Sequence, residues 1–364
     1  MRDYLKTYDI TLLAKGPVFI GSGGEFSKKE YIRKGDYVYI FAIEKLYQEL
    51  KKRNLQKEYE QFMFQNGITL EQWIRKQHIS LKDIMSCIKY SLASGDAFES
   101  VNGRKMQIME CMKDGYGNPY VPGSSIKGML RTIIMADVIE HDRNKYEQDR
   151  KEIRKVLASS EKGKSLLKRN VDQIEKNTYR TKVREGTRKG DAVNDELAGL
   201  IIGDSDPLTT DDLVLVQKID MNIHREKKGL PLVRECIKPG TKIHFTLTID
   251  ETVFPYTKDE LQDMISHFSG YVYQNFLTKF GSKPPKANRV WLGGGCGYVS
   301  KTVTYNLFPE NEGVRVVSDI MKKNTPTKHN HGKDMEYKVS PHILKCGKCN
   351  GKYLQFGLCE WKFE

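Results

Sequence analysis

Three glycine-containing segments hold the residues best suited to chemistry in this 364-residue chain. They are Gly21-Ser22-Gly23-Gly24, then Pro122-Gly123-Ser124-Ser125-Ile126-Lys127-Gly128-Met129-Leu130-Arg131, and finally Leu292-Gly293-Gly294-Gly295-Cys296-Gly297-Tyr298. Glycine lets backbone N–H groups approach an anion with no Cβ in the way, and a helix start adds free donors and a positive dipole end. The second segment therefore reads as a phosphate cradle. Ser124 or Ser125 supplies the N-cap of a helix, and Lys127 and Arg131, four residues apart on one face, meet the same stretch of polyanion. The plainer reading of each segment is a turn.

Other residues invite a different chemistry. A neutral imidazole accepts a proton near neutral pH, which makes His224, His244, His267 and His342 candidate general bases. The sequence places none of them in a recognisable acid–base pair. Residues 158–165 fall one glycine short of a nucleotide-binding loop, with Ala158 at the first glycine position and a charged helix as context, so nucleotide hydrolysis is rejected. Cys346-Gly347-Lys348-Cys349 has the knuckle spacing of a zinc site, which His342 and Cys359 would complete to four ligands. A single such pair is half a signature and equally flanks a hairpin turn between strands at 342–345 and 352–357. The expectation is no metal and no cofactor.

Composition narrows the partners. Lys and Arg number 60 against 47 Asp and Glu, a formal charge of +13, which suits a polyanionic partner and also suits a surface kept soluble by its charge. No segment approaches the ~20 consecutive apolar residues of a membrane helix. The start, Met1-Arg2-Asp3-Tyr4, lacks a signal-peptide core, so a soluble, cytoplasmic protein without membrane contact is expected. The seven cysteines, an odd number spread along the chain, read as reduced thiols.

The elements that must position these residues mix strands and helices. Period-two alternation marks Tyr8–Leu12, Val18–Ile20 and Tyr37–Phe41, and helical spacing follows at 43–53, 55–65, 69–77 and 80–92. Ile126, Met129, Leu130, Ile133, Ile134 and Val138 share a helical face. Residues 140–190 are densely charged, a solvated helical segment running into a mobile basic loop at 176–190. Strands return at Leu200–Ile202, Leu213–Val216 and Ile243–Ile249, and a helix at 258–280 precedes the last glycine run. The order predicts an α+β protein with domains at 1–195 and 196–364.

Taken together, the segments resemble the RAMP superfamily of CRISPR proteins. The hallmark of that family is a Pro-Gly-Ser-Ser-x-Lys-Gly-x-x-Arg loop, matched here at every fixed position from Pro122 to Arg131, together with a glycine-rich loop near the C-terminus. Phe19–Gly23, Gly203–Asp206, the turn Arg234-Glu235-x-x-Lys238-Pro239-Gly240-Thr241, and the ending from Ser340-Pro341-His342 to Gly357-Leu358-Cys359 look like one branch, the fifth Csm subunit of type III-A effector complexes.

The resemblance implies two ferredoxin-like (RRM-like) domains with helical insertions and a thumb β-hairpin, the second domain carrying the glycine-rich loop. It implies guide RNA lying across Gly21, Ser22, Gly23, Gly123, Ser124, Ser125, Lys127, Arg131, Gly293, Gly294, Gly295 and Gly297. The thumb falls at 217–234, where Met221, Ile223 and His224 would splay a base step while Arg225, Lys227 and Lys228 hold phosphates; the bland alternative is an ordinary hairpin. Family members that slice target RNA carry an Asp after the first glycine segment. Here Glu25 to Ile32 holds none, and the next is Asp36 in a turn. The implied function is a non-catalytic guide-RNA-binding subunit that caps the 3′ side of the complex and helps mature the guide's 3′ end. Its implied partners are guide (crRNA) and target RNA, neighbouring Csm backbone subunits and cellular exoribonucleases recruited by the 176–190 loop. The alternatives are an endoribonuclease that cuts precursor guide RNA and a scaffold touching proteins only.

Overall fold

The computed structural model describes residues 3–99, 106–163, 165–324 and 331–364. The chain is α+β, built on two sheets that share one large core. Strands of the first half are β1 (Leu5–Ala14), β2 (Gly21–Phe26), β3 (Tyr31–Lys34), β4 (Tyr37–Phe41), β5 (Ile88–Ala93) and β6 (Gln107–Cys111). The second half adds β7 (Leu200–Ile202), β8 (Leu213–Asn222), β9 (Lys227–Ile237) and β10 (Lys242–Asp250). It ends with β11 (Arg289–Trp291), β12 (Ile343–Cys349), β13 (Lys352–Gln355) and β14 (Leu358–Phe363).

One sheet runs β11-β14-β1-β10-β7 with every neighbouring pair antiparallel. In β10 the alternation is strict: Ile243, Phe245, Leu247 and Ile249 are buried while Lys242, His244 and Thr246 face out, as a strand with one covered face requires. The other sheet runs β2-β6-β9-β8-β5-β4-β3, and β12 continues it by pairing with both β8 and β13. Both sheets draw strands from each side of residue 195, so the segments 1–195 and 196–364 are interleaved.

Helices α1 (Ile43–Lys52), α2 (Gln56–Phe64) and α3 (Leu70–Lys76) stand between β4 and β5 and close a small core of their own around Leu46, Leu50, Phe62 and Trp73. Helix α4 (Gly123–His141) lies deep, its Ile126, Leu130, Ile133 and Ile134 fully buried, and packs against β7. Helices α5 (Glu147–Ala158) and α6 (Lys168–Tyr179) pack on each other, and α7 (Lys258–Asn275), opened by a Thr257–Glu260 capping box, lies against α4. Three more complete the set: α8 (Thr304–Leu307), α9 (Glu310–Asn324) and α10 (Asp334–Tyr337). No helix among the described residues is long and apolar enough to cross a membrane.

Several local expectations change. The helix expected at 80–92 is a short 3-10 turn, Leu81–Cys87, followed by β5, because Tyr90 and Leu92 fill a place beside β4 and β8. The helix expected at 258–280 ends at Asn275, and a 3-10 turn takes Leu277–Phe280. The first glycine segment is the bulged start of β2, paired with β6, and not a free loop. The helical part of the segment 140–190 is packed, with Tyr146, Ile153, Ile174 and Tyr179 buried, while 181–190 is exposed except at Thr187 and is tied to the buried Asn194, which accepts from the Arg184 amide and donates to the Arg188 carbonyl. Its few apolar residues are spread too thinly along charged helices for periodicity to show them.

Candidate nucleic-acid interface

The three glycine segments, far apart in sequence, meet in one place. A cleft of about 380 Å³ is lined by Gly21 of the first with Phe19 and Ile20 just before it, by Ser124, Ser125, Gly128, Met129 and Arg131 from the second, and by Gly293 and Gly294 from the third. Trp291, Thr132, Ser300 and Lys301 complete the wall, and no carboxylate is among its residues. Backbone bonds hold the meeting point: the Gly294 amide donates to the Phe19 carbonyl at 2.7 Å, and the Met112 amide to the Ile20 carbonyl at 2.7 Å. Gly293 has to be glycine. Its φ is +83°, and a Cβ would stand 2.3 Å from the Phe19 carbonyl oxygen.

Helix α4 delivers the cations. Its N-cap is Pro122 and not either serine, so Ser124 and Ser125 sit in the first turn and face the cleft. The tip of the helix is already taken, because the Gly123 amide donates to the Asp204 carboxylate at 2.7 Å. Gly123 serves close packing, since a Cβ there would lie 2.2 Å from the Ile202 carbonyl oxygen. The helix therefore leaves its flank open to the cleft, along Ser124, Gly128 and Arg131, and not its end. Lys127 and Arg131 share one face as the four-residue spacing predicts, and both line an adjoining groove of about 590 Å³ together with Lys176, Arg180, Asp172, Glu175 and Asp195. Arg131 joins the two clefts and carries an ion pair to Glu175 at 3.4 Å. Burial lowers the pKa of the half-buried Lys127 ammonium, and the Asp195 carboxylate works in the opposite direction.

The remaining expected residues divide. Ser22 turns to Glu110, donating to its carboxylate at 3.2 Å, and Gly23 is a left-handed turn residue with open space around it. Gly295 makes room for Arg234: a Cβ there would lie 2.1 Å from its guanidinium. That guanidinium is buried between the rings of Phe19, 4.9 Å away, and Phe356, 5.5 Å away. Gly297 lies near the Lys345 stem. Strands β8 and β9 form a hairpin closed at Asn222–Glu226, where the Glu226 amide donates to the Asn222 side chain at 2.9 Å. Met221 is buried and Ile223 packs against the main core, so neither points outward; His224, Arg225, Lys227 and Lys228 are exposed. Lys227 lies over the Tyr353 ring at 4.6 Å.

Two histidines gain the acidic partners that the sequence did not reveal. His267 Nδ1 lies 2.9 Å from the Asp137 carboxylate, 130 residues away, and His342 Nδ1 lies 2.5 Å from Asp334. His244 bonds Thr11 at 2.8 Å instead, and His224 packs edge-on against Tyr337. The cysteine set does not converge. Cys346 and Cys349 lie on β12, followed by the Asn350-Gly351 turn into β13, while Cys359 lies on β14 in the other sheet. Lys301 and Trp291 were missed, and no spacing in the sequence marks either.

Comparison with known proteins identifies the family. The model of the RAMP superfamily matches residues 11–300. The "CRISPR system Cms protein Csm5" of Mycobacterium tuberculosis (strain CDC 1551 / Oshkosh) is 30% identical, covering 99% of this chain and 98% of its own. That of Streptococcus thermophilus is 26% identical over 86% of this chain and 84% of its own. Among solved structures, a chain of a Csm-crRNA-target RNA ternary complex of a type III-A CRISPR-Cas system superposes with a TM-score of 0.68 at 18% identity, covering 98% of this chain and 100% of that one. The crystal structure of T.onnurineus Csm5 superposes with a TM-score of 0.63 at 17% identity, covering 96% and 99%. With the hallmark loop in place and its relatives matched end to end, this chain belongs to the RAMP superfamily and, within it, to the Csm5 family.

Proposed function

We propose that this chain is a non-catalytic guide-RNA-binding subunit of a type III-A CRISPR effector complex, placed on the 3′ side of the guide and contributing to 3′-end maturation. The observation that carries the reading is the convergence of three glycine segments on one carboxylate-free cleft edged by Arg131 and Lys301. Contacts of this kind grip phosphate and sugar without reading bases, so binding is tight, sequence-tolerant and salt-sensitive.

The architecture supports the finer reading. Strands β1, β7, β10 and β14 with helices α4 and α7 follow the order β-α-β-β-α-β and lie as β14-β1-β10-β7, the arrangement of a ferredoxin-like unit. The hairpin β8–β9 enters the chain between β7 and β10, where a thumb belongs, and its exposed His224, Arg225, Lys227 and Lys228 suit a guide–target duplex. Neighbouring Csm subunits and target RNA are the partners the relatives' complex suggests. Lys176 and Arg180, on the rim of the larger groove, are the proposed contact for a 3′-trimming exoribonuclease.

A salt series of binding to single-stranded guide RNA tests the reading, wild type against Lys127→Ala/Arg131→Ala. Intact RNA and a salt slope shallower by about one per lost phosphate contact support it. An unchanged slope moves the function to protein-only scaffolding. A second reading, cleavage of precursor guide RNA, is favoured by one observation: exposed His141 and His267 flank the buried Asp137 in an open cleft of about 460 Å³. Cut product that vanishes in His267→Ala would establish it.

A further inference from the structure

Away from the clefts, the connection from α9 to β12 buries a carboxylate between two imidazoles. Asp334 is fully buried. One of its oxygens lies 3.0 Å from His331 Nδ1 and 2.5 Å from Ser340 Oγ, and the other 2.5 Å from His342 Nδ1. Ser340 is itself fixed, its amide donating to the Tyr305 hydroxyl at 2.9 Å while that hydroxyl donates to its carbonyl at 2.6 Å. One donor atom each from His331, Asp334 and His342 falls within 4.8 Å of the other two. No Lys or Arg among the described residues forms an ion pair with Asp334.

A carboxylate withdrawn from water needs a positive charge as well as hydrogen bonds. Neutral imidazoles supply the second and not the first. Two imidazole nitrogens and one carboxylate form a donor set suited to zinc and its neighbours, whereas calcium and magnesium prefer oxygen alone. His331 is buried, and the partly exposed edge of His342 is the side from which an ion reaches the site.

We propose that His331, Asp334 and His342 bind one divalent transition-metal ion of the zinc class. The site is separate from the Cys346–Cys349 pair, since no cysteine joins the three ligands. Its position gives it a task. His342 immediately precedes β12, whose Ile343 pairs with Asn222 at the outer end of β8, and Tyr337 packs between His342, at 5.8 Å, and His224, at 5.9 Å. The ion ties the α9–β12 connection to the outer end of the β8–β9 hairpin.

The test uses the full chain, stripped with a chelator, loaded with Zn²⁺ or Co²⁺, desalted and assayed for metal by mass spectrometry. The expected result is about one ion per chain and a higher Tm for the loaded protein. The Co²⁺ form should show d–d bands without thiolate charge transfer. His342→Ala, at the partly exposed ligand, should remain folded by circular dichroism and lose the ion, whereas Cys346→Ser/Cys349→Ser should keep it. If His342→Ala does not fold, wild-type stoichiometry, the cobalt spectrum and the cysteine variant still decide. A wild-type chain that retains no ion overturns the proposal, as do a thiolate charge-transfer band and retention of the ion by His342→Ala.

Discussion

The Gly294 amide donates to the Phe19 carbonyl at 2.7 Å, so the last glycine segment is tied directly to the first, and the cleft between them depends on that contact. Gly293→Ala should break it. The substitution forces an L-residue to φ +83° and sets a methyl 2.3 Å from the same carbonyl. A loss of about 1–3 kcal/mol in stability follows from such strain. A lower urea midpoint and weaker RNA binding in filter assays are the expected pair of results.

Gly128 separates folding from function. It is helical, lines both clefts, and a Cβ there would meet nothing within 4 Å. Gly128→Ala should therefore stabilise the fold by roughly 0.5–1 kcal/mol. RNA affinity should fall in the same protein, because the methyl occupies the surface proposed for the RNA backbone. Calorimetric melting and an RNA titration read the two opposite signs.

Arg131 is paired with Glu175 at 3.4 Å, and on the proposed function RNA competes for it. Glu175→Gln releases the guanidinium. Exposed pairs are worth about 0.2–1 kcal/mol, so guide-RNA affinity should rise by a factor of about 1.4 to 5 at low salt. The gain should disappear in the Arg131→Ala background.

Glu235 is a buried charge whose loss the fold should tolerate poorly. Fully buried on β9, it accepts from the Tyr90 hydroxyl at 2.7 Å, the Cys111 amide at 3.0 Å and the Lys113 ammonium at 2.6 Å. Glu235→Ala leaves the largely buried Lys113 ammonium with Glu110, at 3.7 Å, as its remaining carboxylate, and breaking a buried pair in this way costs about 3–5 kcal/mol. Chemical denaturation should show that loss, and the double variant Glu235→Ala/Lys113→Met should recover part of it.

His141 gives a pH signature. The Asp137 carbonyl accepts from its imidazole and the Asp137 carboxylate attracts it, which together raise its pKa above the usual histidine value. The protonated form is thus favoured by folding: the contribution is complete below the unfolded-state pKa and is lost as pH rises through the folded one. An NMR titration should place the His141 midpoint above that of a model histidine, and Asp137→Asn should move it down.

Much of the site was legible because its signals are local. The four-residue spacing of Lys127 and Arg131 puts both on one face of α4 in any fold, and the hallmark from Pro122 to Arg131 is a contiguous string. The alternation in β10 needed no tertiary information. The role of Gly123, the Asp137–His267 pair and the presence of Lys301 in the cleft were not legible, because each depends on a residue brought near from far along the chain.

The sequence by itself determined the family, the basic character and the cations of α4, since a motif, a charge balance and a helical repeat are properties of neighbours along the chain. The tertiary structure alone decided that three glycine segments form one cleft, that two sheets interleave both halves of the chain, and that His331 and His342 flank the buried carboxylate of Asp334. Strand pairing and burial are settled by which distant surfaces exclude water together, and residue order alone does not encode that choice locally.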